Sequence, residues 1–167
     1  MKKLKVDLEE IGDHMQDQDR YDIDFYLDKE TGEVIIIDVN ILRGLEDGET
    51  MEDLPDWQRE QVKIAEEILS NSDNYIRIPE KPSYEGYDLM VEFAEGVKDE
   101  SLREKLAIAL DGKGAFRRFK NVLLSYPKYR ERWFEFKQQR MNEEVTEWLN
   151  SIGIEPEISN DDKIVDE

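Results

Sequence analysis

Three features of the sequence predict an α+β fold. Two-residue alternation turns back on itself between residues 20 and 39, a short strand-like segment occupies 75–78, and helical periodicity runs from residue 83 onward. The expected architecture is a small antiparallel sheet, hairpin 20–39 plus strand 75–78, followed by a C-terminal helical bundle. For 167 residues the expectation is one domain over 1–154. An acidic tail, 155–167, lacks sustained periodicity and is expected to be mobile.

The first helix signal is Asp7, a capping carboxylate, with Glu10 three residues on and Leu8, Ile11 and Met15 on one face. In the next segment Tyr21, Ile23, Phe25 and Leu27 alternate with Asp22, Asp24 and Tyr26, the pattern of a half-buried strand. Asp28-Lys29-Glu30-Thr31-Gly32 supplies the turn, and residues 33–39 return as the second strand. Residues 40–54, with two glycines and five acids, read as loop with one helical turn at most. Pro55 opens a helix with Asp53 as its expected cap, carrying Trp57, Ile64 and Ile68 on one side. Tyr75-Ile76-Arg77-Ile78 is brief and ended by Pro79, which suits an edge strand. Ser83 and Asp99 are expected to cap two helices, the first with Tyr87, Met90, Val91 and Ala94 inward, the second with Leu102, Leu106, Ala109 and Leu110. Gly112-Lys113-Gly114 then makes a tight junction to a helix carrying Phe116, Phe119 and Leu123. Pro127 opens the longest helix, with Phe134, Met141, Val145, Trp148 and Ile152 as its apolar stripe and Gly153 as its stop.

Composition excludes several chemistries. There is no cysteine, so disulfides and thiolate chemistry are out, and a single histidine, His14, excludes multi-histidine metal centres. Lys and Arg total 23 against 42 Asp and Glu, net −19, a charge that opposes nucleic acid and anionic membranes except where bases cluster. No run approaches the roughly 20 apolar residues of a membrane span, and MKKLKVDLEE lacks the apolar core of a signal peptide. The expectation is a cytoplasmic protein without membrane contact or cofactor.

Four blocks of sequence carry a resemblance. They are Phe25-Tyr26-Leu27-Asp28-Lys29-Glu30-Thr31-Gly32-Glu33-Val34; Tyr75-Ile76-Arg77-Ile78-Pro79 with Glu85-Gly86-Tyr87; residues 112–120, GKGAFRRFK; and Arg130-Glu131-Arg132-Trp133-Phe134-Glu135-Phe136. In this order they resemble a bacterial uncharacterised protein family, the one numbered zero-one-five-eight among families of unknown function. The resemblance covers about residues 4–154 and leaves out the acidic tail. Lys113 stands where the family commonly has arginine. The resemblance implies a cytoplasmic bacterial protein and brings no activity, cofactor or catalytic residue with it.

Charge layout is the most unusual feature of the chain. Residues 1–112 carry net −18 and residues 141–167 net −8, whereas 113–140 hold nine basic and two acidic side chains, net +7. Arg117, Arg118 and Lys120 fall in the first turns of a helix, where free amides and the helix dipole favour anions. Arg130, Arg132 and Trp133 follow on the next helix, and tryptophan and arginine are enriched at binding hot spots. These side chains either contact a partner or dock on the acidic hairpin and helices, balancing charge within the fold. Arg77, opposite in direction to Ile76 and Ile78, either pins the edge strand to Glu80, Glu85 or a hairpin acid, or meets an anionic ligand.

The remaining motifs carry less. Gly112-x-Gly114 lacks the spacing and the preceding strand of a nucleotide loop. Asp17-x-Asp19 begins like a calcium loop, but Tyr21 occupies the next ligand position and Asp22 replaces the required glycine. His14 has carboxylates nearby but no nucleophile motif. The leading expectation is a non-catalytic cytoplasmic interaction protein with an acidic body, binding a protein partner through its terminal helices. The first alternative is a nucleic-acid or nucleotide phosphate binder using the basic island, and the second a hard-cation-dependent enzyme using Asp and Glu.

Overall fold

The computed structural model describes residues 1–17, 19–49, 53–81 and 84–157. The expected cap Ser83, the side chain of Glu85 and the tail residues 158–167 lie outside the described residues. The chain divides into two compact units, Met1–Glu80 with Glu144–Glu167, and Lys81–Glu143.

The elements follow in the order β1 (Lys2–Lys5), α1 (Leu8–Gln16), β2 (Ile23–Asp28), β3 (Val34–Asp38), α2 (Val39–Glu46), α3 (Asp56–Ser70) and β4 (Tyr75–Arg77). Then come α4 (Tyr84–Glu95), α5 (Glu100–Ala109), α6 (Ala115–Leu124), α7 (Pro127–Ser151) and β5 (Ile154–Glu157). This is the mixed α+β architecture read from the sequence, with its helical C-terminal region.

In the first unit Asp7 caps α1 as expected, its carboxylate accepting from the Glu10 amide at 3.0 Å. The three-stranded sheet is antiparallel in the order β3-β2-β4, so the short strand before Pro79 does lie at an edge. Phe25 pairs with Ile36 and Leu27 with both Val34 and Ile76. The hairpin turn is held by Asp28, whose Oδ1 accepts from the Glu30 and Thr31 amides at 2.9 and 3.2 Å and from the Asn74 side chain at 2.8 Å. Gly32 takes φ +80°, and a Cβ built there would sit 2.1 Å from the Lys5 carbonyl oxygen. Conformation and close approach both demand glycine at this position.

Several expectations for this unit need correction. Asp53 does not cap α3, whose N-cap is Pro55 with no side-chain hydrogen bond, and Tyr21 is exposed and precedes β2. Residues 39–46 form a helix, not a loop, because Asp38 caps it and Ile41, Leu42 and Leu45 pack against the sheet. The face of the sheet bearing Asp24 is not wet: Tyr26, Ile35 and Ile37 on that side meet Val62, Ala65 and Ile68 of α3. Trp57 is 70% exposed, since α3 buries Ala65 and Ile68 and its first turn lies beyond that contact. In addition, β1 pairs in parallel with β5, Leu4 opposite Pro156, with Leu4 and Ile154 buried. Residues 155–157, assigned by their acidity to the tail, thus belong to a strand.

The helical unit surrounds a core of Met90, Ala94, Leu102, Leu106, Phe119, Leu123 and Trp133. Phe119 meets the Trp133 ring edge-on with centroids 4.9 Å apart, and Phe93 lies 5.4 Å from Trp133. Each buried side chain of this size contributes about 1.5–3 kcal/mol relative to exposure. Asp99 caps α5, accepting from the Leu102 amide at 3.0 Å. Gly112 and Gly114 both adopt positive φ, which makes the tight junction into α6. Phe116 and Phe134, expected inward, are 48% and 51% exposed. The buried stripe of α7 starts at Trp133, not Phe134, and continues through Met141, Val145 and Leu149.

Candidate functional site

Lys137 aside, the basic side chains of α6, α7 and the junction before α6 sort into two groups. Arg118 is an internal group. It donates from Nε to the Ala109 carbonyl at 3.0 Å, from Nη2 to the Asp111 carbonyl at 2.5 Å and from Nη1 to the Lys113 carbonyl. The last carbonyls of α5 and its junction lack intrahelical partners, and this planar fork satisfies them. Arg140 is also engaged, paired with Glu92 on α4 and 3.8 Å from Glu143.

Lys113, Arg117, Lys120, Lys128, Arg130 and Arg132 are exposed, and none of them forms an ion pair among the described residues. On α6, Arg117, Lys120 and Leu124 recur at helical spacing, and Leu124 is 60% exposed. On α7, the guanidinium of Arg130 lies 5.2 Å from the centre of the exposed Phe134 ring, and that of Arg132 lies 4.9 Å from the centre of Tyr129. Such cation–π contacts attract the guanidinium to the ring without supplying a carboxylate. The helical unit contains 13 basic and 11 acidic side chains, net +2, so the first unit carries net −21.

Two sequence candidates lie elsewhere in function. Trp133 is buried in the core, because positions 129, 133 and 136 of α7 face inward together, so it is no part of the surface. Arg77, at the sheet edge, donates from Nε to Asp24 at 2.5 Å and from Nη2 to Glu80 at 3.2 Å. The bond to Asp24 raises its pKa above the ordinary arginine value, against partial burial. A hairpin acid and a local one therefore both hold this side chain.

Sequence reasoning missed Arg20, whose side chain is 1% exposed. It donates to Asp24 at 3.1 Å and to the carbonyls of Ile78 and His14 at 2.7 and 2.5 Å, and lies 4.9 Å from the centre of Phe25. His14 stacks on the same ring at 3.9 Å. The only sequence signal was one arginine beside an alternating strand of aspartates. Among the described residues no three His, Asp or Glu side chains are placed to hold a metal ion, and no helix is long and apolar enough to cross a membrane.

Residues 1–166 match the model of an uncharacterised protein family, UPF0158. A UPF0158 protein of Pseudomonas aeruginosa is 24% identical over 93% of this chain and 88% of its own length. UPF0158 proteins of Chlamydia trachomatis and Chlamydia muridarum are 30% and 28% identical over 77% of this chain. The matched part is only about a third of those chlamydial proteins, 35% and 34%. No solved structure matches the chain.

Proposed function

We propose, from the premise that this chain belongs to the uncharacterised protein family UPF0158, that it is a non-catalytic, cytoplasmic interaction protein. Its helical unit binds an acidic polypeptide segment through the exposed sides of α6 and the first half of α7. The observation that carries this reading is the group of exposed, carboxylate-free cations, Arg117, Lys120, Arg130 and Arg132, interleaved with exposed Leu124 and Phe134. Unpaired cations beside exposed apolar side chains suit a partner offering carboxylates and apolar groups together, as at protein hot spots. The net −19 charge of the whole chain favours such a compact contact over a long polyphosphate. One observation favours a second reading, single-stranded nucleic acid: guanidinium groups poised over Phe134 and Tyr129 resemble the stacking platforms of such binders.

Fluorescence anisotropy separates the two. The probes are labelled 15-residue peptides alternating Glu or Asp with Leu and Phe, and mixed-sequence RNA and DNA, each across a salt series. The expected result is salt-sensitive peptide binding that weakens at least tenfold in Arg117→Ala/Lys120→Ala/Arg130→Ala, with RNA and DNA bound more weakly. Tighter RNA or DNA binding lost in the same variant establishes the second reading instead. No binding of any probe at low salt removes both.

A further inference from the structure

Helices α4 and α5 enclose an open groove of about 1100 Å³. Its apolar lining includes Val91, Ala107 and Leu110, together with Tyr87 and Ile108, which are 39% and 70% exposed. Tyr87 is fixed there by donating its hydroxyl to the Leu110 carbonyl at 3.0 Å. Four carboxylates, Glu95, Glu100, Glu104 and Asp111, also line the groove. None of the four carboxylates has an ion pair or side-chain hydrogen bond among the described residues. The cation lining the same groove, Arg103, is turned to the Val97 carbonyl at 3.2 Å and does not neutralise them.

We propose that this groove docks a basic amphipathic helix of a partner protein. Ile108 costs little to leave in water singly, but beside Tyr87, Val91 and Ala107 it forms a strip that a helix face of Leu, Met or Phe at i, i+4 and i+7 fills. The ten residues of α5 extend about 15 Å, the length of a similar run of partner helix. Lysine or arginine flanking that apolar face meets Glu95, Glu100, Glu104 and Asp111, and apolar contact partly screens those pairs from water. The charge of the rest of the chain steers the same partner, since a basic segment approaches a net −19 protein faster than a neutral one. A second copy of this chain is a poorer occupant, because two such copies repel one another. Taken with the α6–α7 face, the unit holds partners of opposite charge on different helices, as an adaptor does.

The test is anisotropy with a labelled 18-residue Leu/Lys peptide patterned as an amphipathic helix, beside a scrambled peptide of the same composition and a Leu/Glu version. The protein is the full chain, with Ile108→Asp and Glu100→Lys/Glu104→Lys as variants and circular dichroism as the check on folding. These positions are exposed, so both variants are expected to fold. The expected result is binding of the patterned peptide that falls at least tenfold with the scrambled or acidic peptide, and at least tenfold in each variant. Arg117→Ala/Lys120→Ala/Arg130→Ala leaves this affinity unchanged, so failure of the α6–α7 reading is seen separately. Equal binding of the scrambled peptide, or binding indifferent to Ile108→Asp, overturns the proposal. Self-association in sedimentation velocity that Ile108→Asp abolishes also overturns it, by assigning the groove to a second copy.

Discussion

Arg118 Nε lies 3.0 Å from the carbonyl oxygen of Ala109, so a side chain of α6 closes the end of α5. Its neighbour Arg117 has no such bond among the described residues, although sequence alone treats the pair as equivalent. Arg118→Ala is expected to lower stability by about 1 kcal/mol, chiefly by leaving the partly buried Ala109 carbonyl without its donor, and Arg117→Ala by less than about 0.5 kcal/mol. Urea unfolding of the two variants beside the parent checks this. Equal losses would remove the internal role assigned to Arg118. For the same reason, binding tests on this face should leave Arg118 in place.

Arg20 and Arg77 hold the two oxygens of Asp24, and the three groups form one ionic cluster at the sheet. Arg20→Met leaves the partly buried Asp24 carboxylate short of one partner and is expected to cost about 2–3 kcal/mol. Arg20→Lys should recover only part of that, because one ammonium cannot reach Asp24, Ile78 and His14 with a fork's geometry. Full recovery in denaturant unfolding of the lysine variant contradicts the need for a guanidinium at this position.

At the hairpin turn, Gly32→Ala meets both a positive φ and the Lys5 carbonyl at 2.1 Å from the new carbon. The expected cost is about 2–4 kcal/mol, more than conformation alone would give. Gly48→Ala, at the same φ with nothing within 4 Å, isolates the conformational part. If thermal unfolding shows equal losses at the two positions, the close approach to β1 is refuted.

Asp28 makes the turn sensitive to acid. Burial pushes its pKa up, but hydrogen bonds from Asn74, Glu30 and Thr31 outweigh that and hold it below the ordinary value. A depressed carboxylate stabilises the fold above its unfolded pKa of about 3.9, and that contribution disappears as pH falls through the folded value. The stability difference between parent and Asp28→Asn should therefore be greatest near neutrality and shrink below about pH 4. A difference that stays constant from neutral to acid pH shows that the charge contributes nothing.

The hairpin was legible because two local signals agreed, the alternation of Ile23, Phe25 and Leu27 and a turn ending in Gly32. Asp7 and Asp99 were legible as caps because capping depends on residues only three positions away. Strands β1 and β5 were not, since Lys2–Lys5 and Ile154–Glu157 each bury little and are defined by each other, some 150 positions apart. Within the helices, period located the apolar stripes but not which members are covered. Phe134 and Trp133 are adjacent, and only packing against Phe119 and Phe93 decides that Trp133 goes inside. The α4–α5 groove was equally hidden, because an exposed Ile108 looks in sequence like any other core isoleucine.

The pairing of β1 with β5 has a consequence for synthesis on the ribosome. β1 waits for β5, about 150 residues further along, while the helical unit, Lys81–Glu143, is a continuous stretch whose core residues all lie within it. During synthesis domains generally fold as units, once the residues of each have emerged. The helical middle of this chain can therefore pack before β1 has a partner, and a chain that lacks β5 leaves β1 with no strand to pair with among the described residues.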